Sequence, residues 1–377
     1  MKYFFIAGEA SGDLHASRLM KELLKIDEHA EFMFLGGDKM SRYAGTPLVH
    51  CREMAMMGIV NVFLNIRKIA NIRRIAQQAV LRFVPDRVIL VDYASFNLDF
   101  AKFVKNRLPE TEVDFYIAPK LWASRSWRIT KIRNYVDRMF TIFPFETAYF
   151  ARKGFMVDYV GNPTVDAITS YRKRILDHAA FRKAHDLDDR KIILLMAGSR
   201  THEVRDCLPL MAEIASRYKD YQFVLAAAPN LNLDFYHKIL SKCNGGDSLK
   251  ILQNCTYEVM EMSHAGIINS GTATLEAALF GLPQVVVYKV FAGRLAMALK
   301  PLFIRTKFVS LVNIIPRREV VKELLGHHFS VNNTIAELNR LMNDDAYRSK
   351  MISDYQQVKD LLGPGGAPKR LAEKIFC

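Results

Sequence analysis

Short apolar runs separated by amphipathic stretches recur along this chain in two successive sets. The first set is YFFIA (3–7), EFMFL (31–35), RVILV (87–91), DFYI (114–117) and RMFT (138–141). The second is KIILLMAGSR (191–200), YQFVLAAAP (221–229), LKILQN (249–254), AGIINSG (265–271) and PQVVVYK (283–289). Runs that are apolar at consecutive positions, rather than at every second one, suit strands buried on both faces. Alternation with helical patterns then builds parallel sheets covered by helices. The expected fold class is α/β, with two Rossmann-like domains facing across a cleft. At 377 residues the chain is too long for one ordinary core.

The break at Gly161-Asn162-Pro163 places the boundary: residues 1–163 form the first domain and 164–355 the second. The tail, 356–377, carries a Pro/Gly break at 363–368 and then a short helical pattern, expected to pack back on the first domain. There is no internal repeat and no low-complexity segment.

Lysine and arginine exceed aspartate and glutamate by 53 to 39, a net charge of +14, which favours an anionic partner such as a phosphorylated substrate, a membrane surface or nucleic acid. The five cysteines form no CxxC pair, so reduced thiols are expected and zinc is not. No signal-peptide pattern precedes the first strand. No apolar run approaches the ~18–20 residues of a spanning helix. The expectation is a cytoplasmic protein, at most peripheral to a membrane.

Ligands in such folds bind at the carboxyl ends of the strands. Four turns there carry candidate chemistry. In AGEASGD (7–13), Gly8 and Gly12 flank a strand-to-helix turn of the kind that holds phosphate, but their spacing meets neither GxGxxG nor the P-loop. Gly8, Glu9, Ser11 and Gly12 are expected to line the first-domain wall of the cleft, with Asp13 a second-choice base. In INSGTATLE (268–276), Gly271 admits a ligand to the amides of Thr272, Ala273 and Thr274, and Glu276 is placed for ribose hydroxyls. An ordinary turn capped by Ser270 or Thr272 has the same pattern. In LLMAGSR, Ser199 and Arg200 reach the same edge, Arg200 offering a fork of donors to a diphosphate, or equally a surface salt bridge. In VDYASFN (91–97), Asp92 ends a strand as a general base would, or as a helix cap would. Ser95 and Asn97 follow in that turn.

Two segments, 58–83 and 290–308, mix apolar residues (Ile59, Val62, Phe63, Ile66) with basic ones (Arg67, Lys68, Arg73, Arg74), as a leaflet-binding helix does or a core helix with a solvated face. Met54, Met56 and Met57 read as packing residues or as walls of an acyl pocket. His15 and His202 lie nearest the expected cleft. Trp122 and Trp127 flank Arg125 and Arg128, as packing residues or as acceptor contacts.

In order along the chain, AGEASGD, MAMMGIVNV, VDYASFN, APKLWA, FPFE, GSR, SGTATLE and VSLVNII resemble the lipid-A-disaccharide synthase family, GT-B glycosyltransferases of family 19. The resemblance covers nearly the whole chain. It implies transfer of 2,3-diacylglucosamine from its UDP derivative to 2,3-diacylglucosamine 1-phosphate (lipid X), giving a β-1,6 disaccharide and UDP. By the same resemblance, Thr272, Ala273, Thr274 and Glu276 hold diphosphate and ribose, Arg200 contacts UDP, Asn313 belongs to the donor site, and Asp92 is the catalytic base. No metal and no cofactor are expected, the inner-membrane surface is the expected partner, and the protein is a monomer or homodimer. Departures occur where the family's DAPDFN reads DYASFN, replacing its second acid by Ser95, and where Asn61 follows MGIV in place of an acid. PKLWAS stands for PSVWAW, and NIIPRREV for NLLAGREV. The rival readings are another UDP-sugar transferase of the same fold, a UDP-sugar epimerase, a nucleic-acid-binding protein and a dinucleotide oxidoreductase. The ordered motifs oppose the first two, the dispersed basic residues the third, and the missing GxGxxG the fourth.

Overall fold

The computed structural model describes residues 1–55, 66–289 and 307–376. It divides into two compact units, 1–163 with 364–377 and 164–363. Unit 1 holds a parallel sheet of β1 (Lys2–Ala7), β2 (Glu31–Leu35), β3 (Arg87–Val91), β4 (Glu112–Tyr116), β5 (Arg138–Thr141) and β6 (Asp158–Tyr159), in the order β2-β1-β3-β4-β5-β6. Unit 2 holds β7 (Lys191–Met196), β8 (Tyr221–Ala227), β9 (Leu249–Gln253), β10 (Ser263–Asn269), β11 (Gln284–Tyr288) and β12 (Glu323–Leu325), in the order β12-β11-β10-β7-β8-β9.

The strands form because their apolar side chains find partners on both faces. Val88, Ile89, Leu90 and Val91 are all fully buried. Alternate residues feed two clusters, Val88 and Leu90 with Phe4 on one face, Ile89 and Val91 with Phe5 on the other. Each sheet has a point where successive strands depart in opposite directions, between β1 and β3 in unit 1 and between β7 and β10 in unit 2. Adjacent strand ends part there and leave a crevice, the place where such sheets bind ligands.

The structure moves several expected boundaries. β4 starts two residues early and stops before Ile117, whose left-handed backbone (φ 65°) turns the chain away. β10 starts early, at Ser263, and ends at Asn269, with Ser270 and Gly271 in the turn as expected. β6 and β12, edge strands of two and three residues, carry no periodicity that could announce them. The tail does not begin at 356, because the helix Asp345–Leu362 runs unbroken through that point to Gly363. Beyond it the helix Ala367–Phe376 packs Leu371, Ala372 and Ile375 into the unit 1 cluster around Leu19 and Met20.

The helix Ile66–Phe83 sets Ile72, Ala76 and Val80 into the unit 1 core, so from Arg67 onward the basic segment is a core helix with a solvated face. Met54 is likewise fully buried. Ile59, Val62, Phe63, Asn61, Met56 and Met57, the side chain of Ile66, and nearly all of 290–308 lie outside the described residues. No described helix is long and apolar enough to cross a membrane.

Candidate active site

The crevice of unit 2 opens into a cavity of about 480 Å3, a size suited to a nucleotide. Its walls include Gly198, Ser199 and Arg200 after β7, the stretch 227–229 at the end of β8, and Ser270, Gly271, Thr272 and Glu276 after β10. Two helices start at this rim, Thr201–Ala215 and Thr272–Phe280. The second has Gly271 as its first flanking residue and no side-chain cap, so the amides of Thr272 and Ala273 at its start are not closed off by a capping side chain, while the Thr274 amide donates to the Gly271 carbonyl at 3.3 Å. A Cβ on Gly271 would meet nothing within 4 Å, whereas one on Gly198 (φ 114°) would lie 2.6 Å from Glu203. Gly198 is therefore needed for the turn itself, and Gly271 leaves space above it.

Arg200 is largely exposed, its guanidinium held loosely by Glu203 at 3.5 Å. The Glu203 carboxylate also accepts from the amides of Ser199 (3.0 Å) and Arg200 (3.2 Å), which fixes the turn. Glu276 accepts from the Tyr257 hydroxyl at 2.9 Å, and burial raises its carboxyl above the usual value against that hydrogen bond. Glu203, Tyr257 and 227–229 are lining residues the sequence reading missed. Position signalled only the stretch 227–229, at the end of β8; Glu203 and Tyr257 reach the rim from the first turns of the helices Thr201–Ala215 and Thr256–Met262.

Two expected donor contacts are corrected. Thr274 is fully buried, and both its amide (3.3 Å) and its hydroxyl (2.8 Å) donate back to the Gly271 carbonyl, so its amide does not face a ligand. Asn313 is also fully buried. Its amide nitrogen donates to the Val321 carbonyl (2.9 Å) and to Glu323 (3.0 Å), and its oxygen accepts from the amides of Val320 (2.7 Å) and Val321 (3.0 Å). All four hydrogen-bonding positions are spent on bracing the segment 313–323.

In unit 1 the crevice brings Gly8, after β1, against the turn after β3. Asp92 (φ 48°) and Tyr93 (φ 48°) are consecutive left-handed residues, an arrangement that costs energy and is sustained only by surrounding contacts. The Asp92 amide donates to the Tyr116 carbonyl at 2.9 Å, and the Asn97 side chain donates to the Asp92 carbonyl at 2.7 Å. The Tyr93 ring lies over Gly8, where an added Cβ would come within 2.5 Å of it, and its hydroxyl donates to the Met54 carbonyl at 3.2 Å. The turn thus holds the Asp92 carboxylate at the crevice. Burial raises its pKa above the ordinary carboxylate value, opposed by the charge of Lys120 and by the Tyr93 amide.

The other first-domain candidates divide. Glu9 and Ser11 are exposed at the start of the helix Ala10–Ile26, and Gly12 packs against Ala7 and Val91. Asp13 is corrected: it is 4% exposed, and its carboxylate accepts from the amides of Gly37 (2.8 Å), Lys39 (3.1 Å) and Met40 (3.1 Å). It anchors the helix Asp38–Ala44 and is not the alternative base. Asn97 is fully buried and positions the Asp92 turn rather than meeting an acceptor. Burial, with Arg18 and Lys39 nearby, lowers the His15 pKa to about 4, so that imidazole is neutral near pH 7. His202 is exposed beside Arg200. Trp122 is buried and donates to Glu146 at 3.0 Å, while Trp127 is exposed.

The family model for lipid-A-disaccharide synthetase matches residues 3–370. The chain belongs to the lipid-A-disaccharide synthase family. Among its relatives, the lipid-A-disaccharide synthase of Geobacter sulfurreducens is 35% identical, over 98% of this chain and 95% of that one. Those of Myxococcus xanthus and Coxiella burnetii are 34% and 31% identical, each over 98% of this chain and 96% of the relative. The enzyme is accordingly a glycosyltransferase of lipid A biosynthesis.

Solved structures agree on the fold. UDP-GlcNAc 2-epimerase from Neisseria meningitidis, bound to UDP-GlcNAc, aligns over 100% of both chains with a TM-score of 0.71 and 16% identity. The calicheamicin glycosyltransferase CalG4 aligns over 100% of this chain and 97% of its own with a TM-score of 0.59 and 14% identity. At such identities the likeness carries fold alone, and the epimerase reading finds no further support in it. The pair of Rossmann-like units is of the GT-B kind.

Proposed function

We propose that the chain transfers 2,3-diacylglucosamine from UDP-2,3-diacylglucosamine to O6 of 2,3-diacylglucosamine 1-phosphate, with inversion at the anomeric carbon. The O6–C1 bond forms, the bond from C1 to the diphosphate breaks, the O6 proton goes to Asp92, and UDP leaves with the electron pair. The observation that carries this reading is the unit 2 cavity, where Arg200 and the uncapped amides after Gly271 converge where adjacent strands part. Such donors favour negative charge as it develops on the departing diphosphate, the work a divalent cation does elsewhere, so the reaction needs no metal. In this reading Glu276, which lines the cavity, binds the ribose hydroxyls, and Asp92 takes the acceptor's proton.

Acylated substrates lie in a bilayer, and the net charge of +14 suits an anionic surface, so the enzyme works peripherally on the inner membrane. The test is incubation with both diacylglucosamine substrates and mass analysis of the product. Formation of the disaccharide 1-phosphate and UDP, undiminished by EDTA, is expected. Arg200→Ala should weaken UDP binding about ten-fold or more. Turnover abolished by the chelator, or unchanged UDP affinity in the variant, would contradict the metal-free donor site.

A further inference from the structure

Unit 1 carries a cationic locus for which the donor half of the chemistry has no use. It lies on the segment after β4, where Lys120, Arg125 and Arg128 occupy a short stretch whose underside is fixed. Leu121 is 1% exposed, and the buried Trp122 is tied through its indole N–H to Glu146. Arg125 has a left-handed backbone (φ 55°) that starts the single turn Ser126–Arg128. These side chains therefore project from a braced loop, not from a loose one.

Among the described residues, none of the three cations has a carboxylate partner. The nearby acid on the adjoining helix, Asp99, is already taken by Arg73 (3.2 Å) and Lys131 (2.6 Å). Arg128 donates instead to the neutral hydroxyl of Ser95, three residues after Asp92. Burial of the Arg128 guanidinium, and then the charge of Arg125 beside it, draw its pKa below the ordinary arginine value. Arg125 is exposed and Arg128 half-buried, and the repulsion between these two guanidiniums is relieved when an anion joins them. The same locus borders the base, since the charge of Lys120 is felt at Asp92.

We infer that Lys120, Arg125, Arg128 and Ser95 form a subsite for the phosphate monoester of the acceptor. This rests on the transfer reaction proposed above. In an aminosugar 1-phosphate the phosphate and the 6-hydroxymethyl group flank the ring oxygen. Anchoring the phosphate at Arg125 and Arg128 therefore leaves O6 about one ring's breadth away, and Arg128 is tied to Ser95 in the same turn that carries Asp92. The cations also screen the phosphate from the Asp92 carboxylate, which would otherwise hold its proton more tightly and serve less well as a base. Planar guanidinium forks match phosphate oxygens and confer a preference for the phosphorylated sugar.

The test compares 2,3-diacylglucosamine 1-phosphate with the same acceptor lacking the phosphate, in neutral-detergent micelles free of anionic lipid. The wild type should prefer the phosphorylated acceptor. Arg125→Ala and Arg128→Ala should each raise its KM about ten-fold or more, collapse the ratio of kcat/KM between the two acceptors, and leave UDP binding by calorimetry intact. Arg128→Lys should recover part of the ratio. Parallel loss on both acceptors, or an unchanged ratio, overturns the subsite. So does a defect seen only when anionic phospholipid vesicles carry the acceptor, which would make the arginines headgroup contacts. No turnover by the wild type with either acceptor overturns the transfer reaction, and the subsite with it.

Discussion

Asp92 and Asp13 both lie near the β1/β3 edge of the first sheet, and their surroundings set them to different tasks. Three amides hold Asp13, while the Asp92 carboxylate is only partly enclosed and is pushed upward in pKa by burial. A base must be deprotonated to act, so the acid limb of kcat/KM should lie above the ordinary carboxylate range. Asp92→Asn should lower turnover by about 10²–10⁴-fold while UDP still binds. Lys120→Met, which removes a charge that opposes the upward shift, should move the limb to higher pH, and a movement to lower pH would contradict the assignment. Glu146 supplies a separate pH dependence. Burial raises it from the ordinary 4.5 to about 7 despite hydrogen bonds from Trp122 and Phe143. A raised carboxyl means that the folded state holds the proton more tightly than the unfolded one. That contribution is complete below about pH 4.5 and is lost as pH rises through 7. Melting temperatures across this window should show the wild type losing ground relative to Glu146→Gln. Local sequence named Asp92 because a carboxylate after a buried strand is a visible pattern. It could not reveal that Asp13, Asn313 and Thr274 were already satisfied, because their partners lie elsewhere in the fold or in the same turn's own backbone.

At the scale of elements, the turn after β3 is a strained device supported from several sides. Its two left-handed residues depend on the Asn97 side chain and on the bare backbone of Gly8 beneath Tyr93. Gly8→Ala would thrust a methyl group into that ring, at a cost of about 1–3 kcal/mol. It should reduce kcat more than UDP affinity, and chemical denaturation beside steady-state kinetics would check both effects. Asn313→Ala should behave in the opposite way. Losing four buried hydrogen bonds should lower the melting temperature, while UDP affinity measured well below the transition stays near that of the wild type. The long, doubly buried strands were readable because uninterrupted apolar runs have few other uses. The edge strands β6 and β12 were not, since they are defined by pairing with a neighbour and not by their own composition. The cavity rim was half legible: glycines and an arginine stand out at strand ends, whereas Tyr257 reaches the rim from the separate helix Thr256–Met262.

For the whole molecule, the division matters as much as the units. Unit 1 is made from both ends of the chain, with unit 2 inserted between residues 163 and 364. Arg370 donates to the Val160 carbonyl at 3.0 Å and Lys374 pairs with Asp158 at 2.8 Å, so the last helix closes the end of the first sheet as well as its apolar face. A fragment ending at 163 should therefore aggregate or melt early, and adding a peptide of residues 364–377 should restore a cooperative transition by circular dichroism. The two successive sets of strands were plain in the sequence. Which unit received the tail was decided by the apolar stripe Leu371, Ala372 and Ile375, whose partners Leu19 and Met20 are more than 300 residues away in sequence. Order of manufacture follows from this arrangement. A ribosome adding about 5–20 residues per second completes the first 163 residues about ten to forty seconds before the helix that covers them emerges. Through that interval the nascent chain displays the bare groove around Leu19 and Met20, and a chaperone that recognises greasy surface has its binding site there until the helix Ala367–Phe376 emerges.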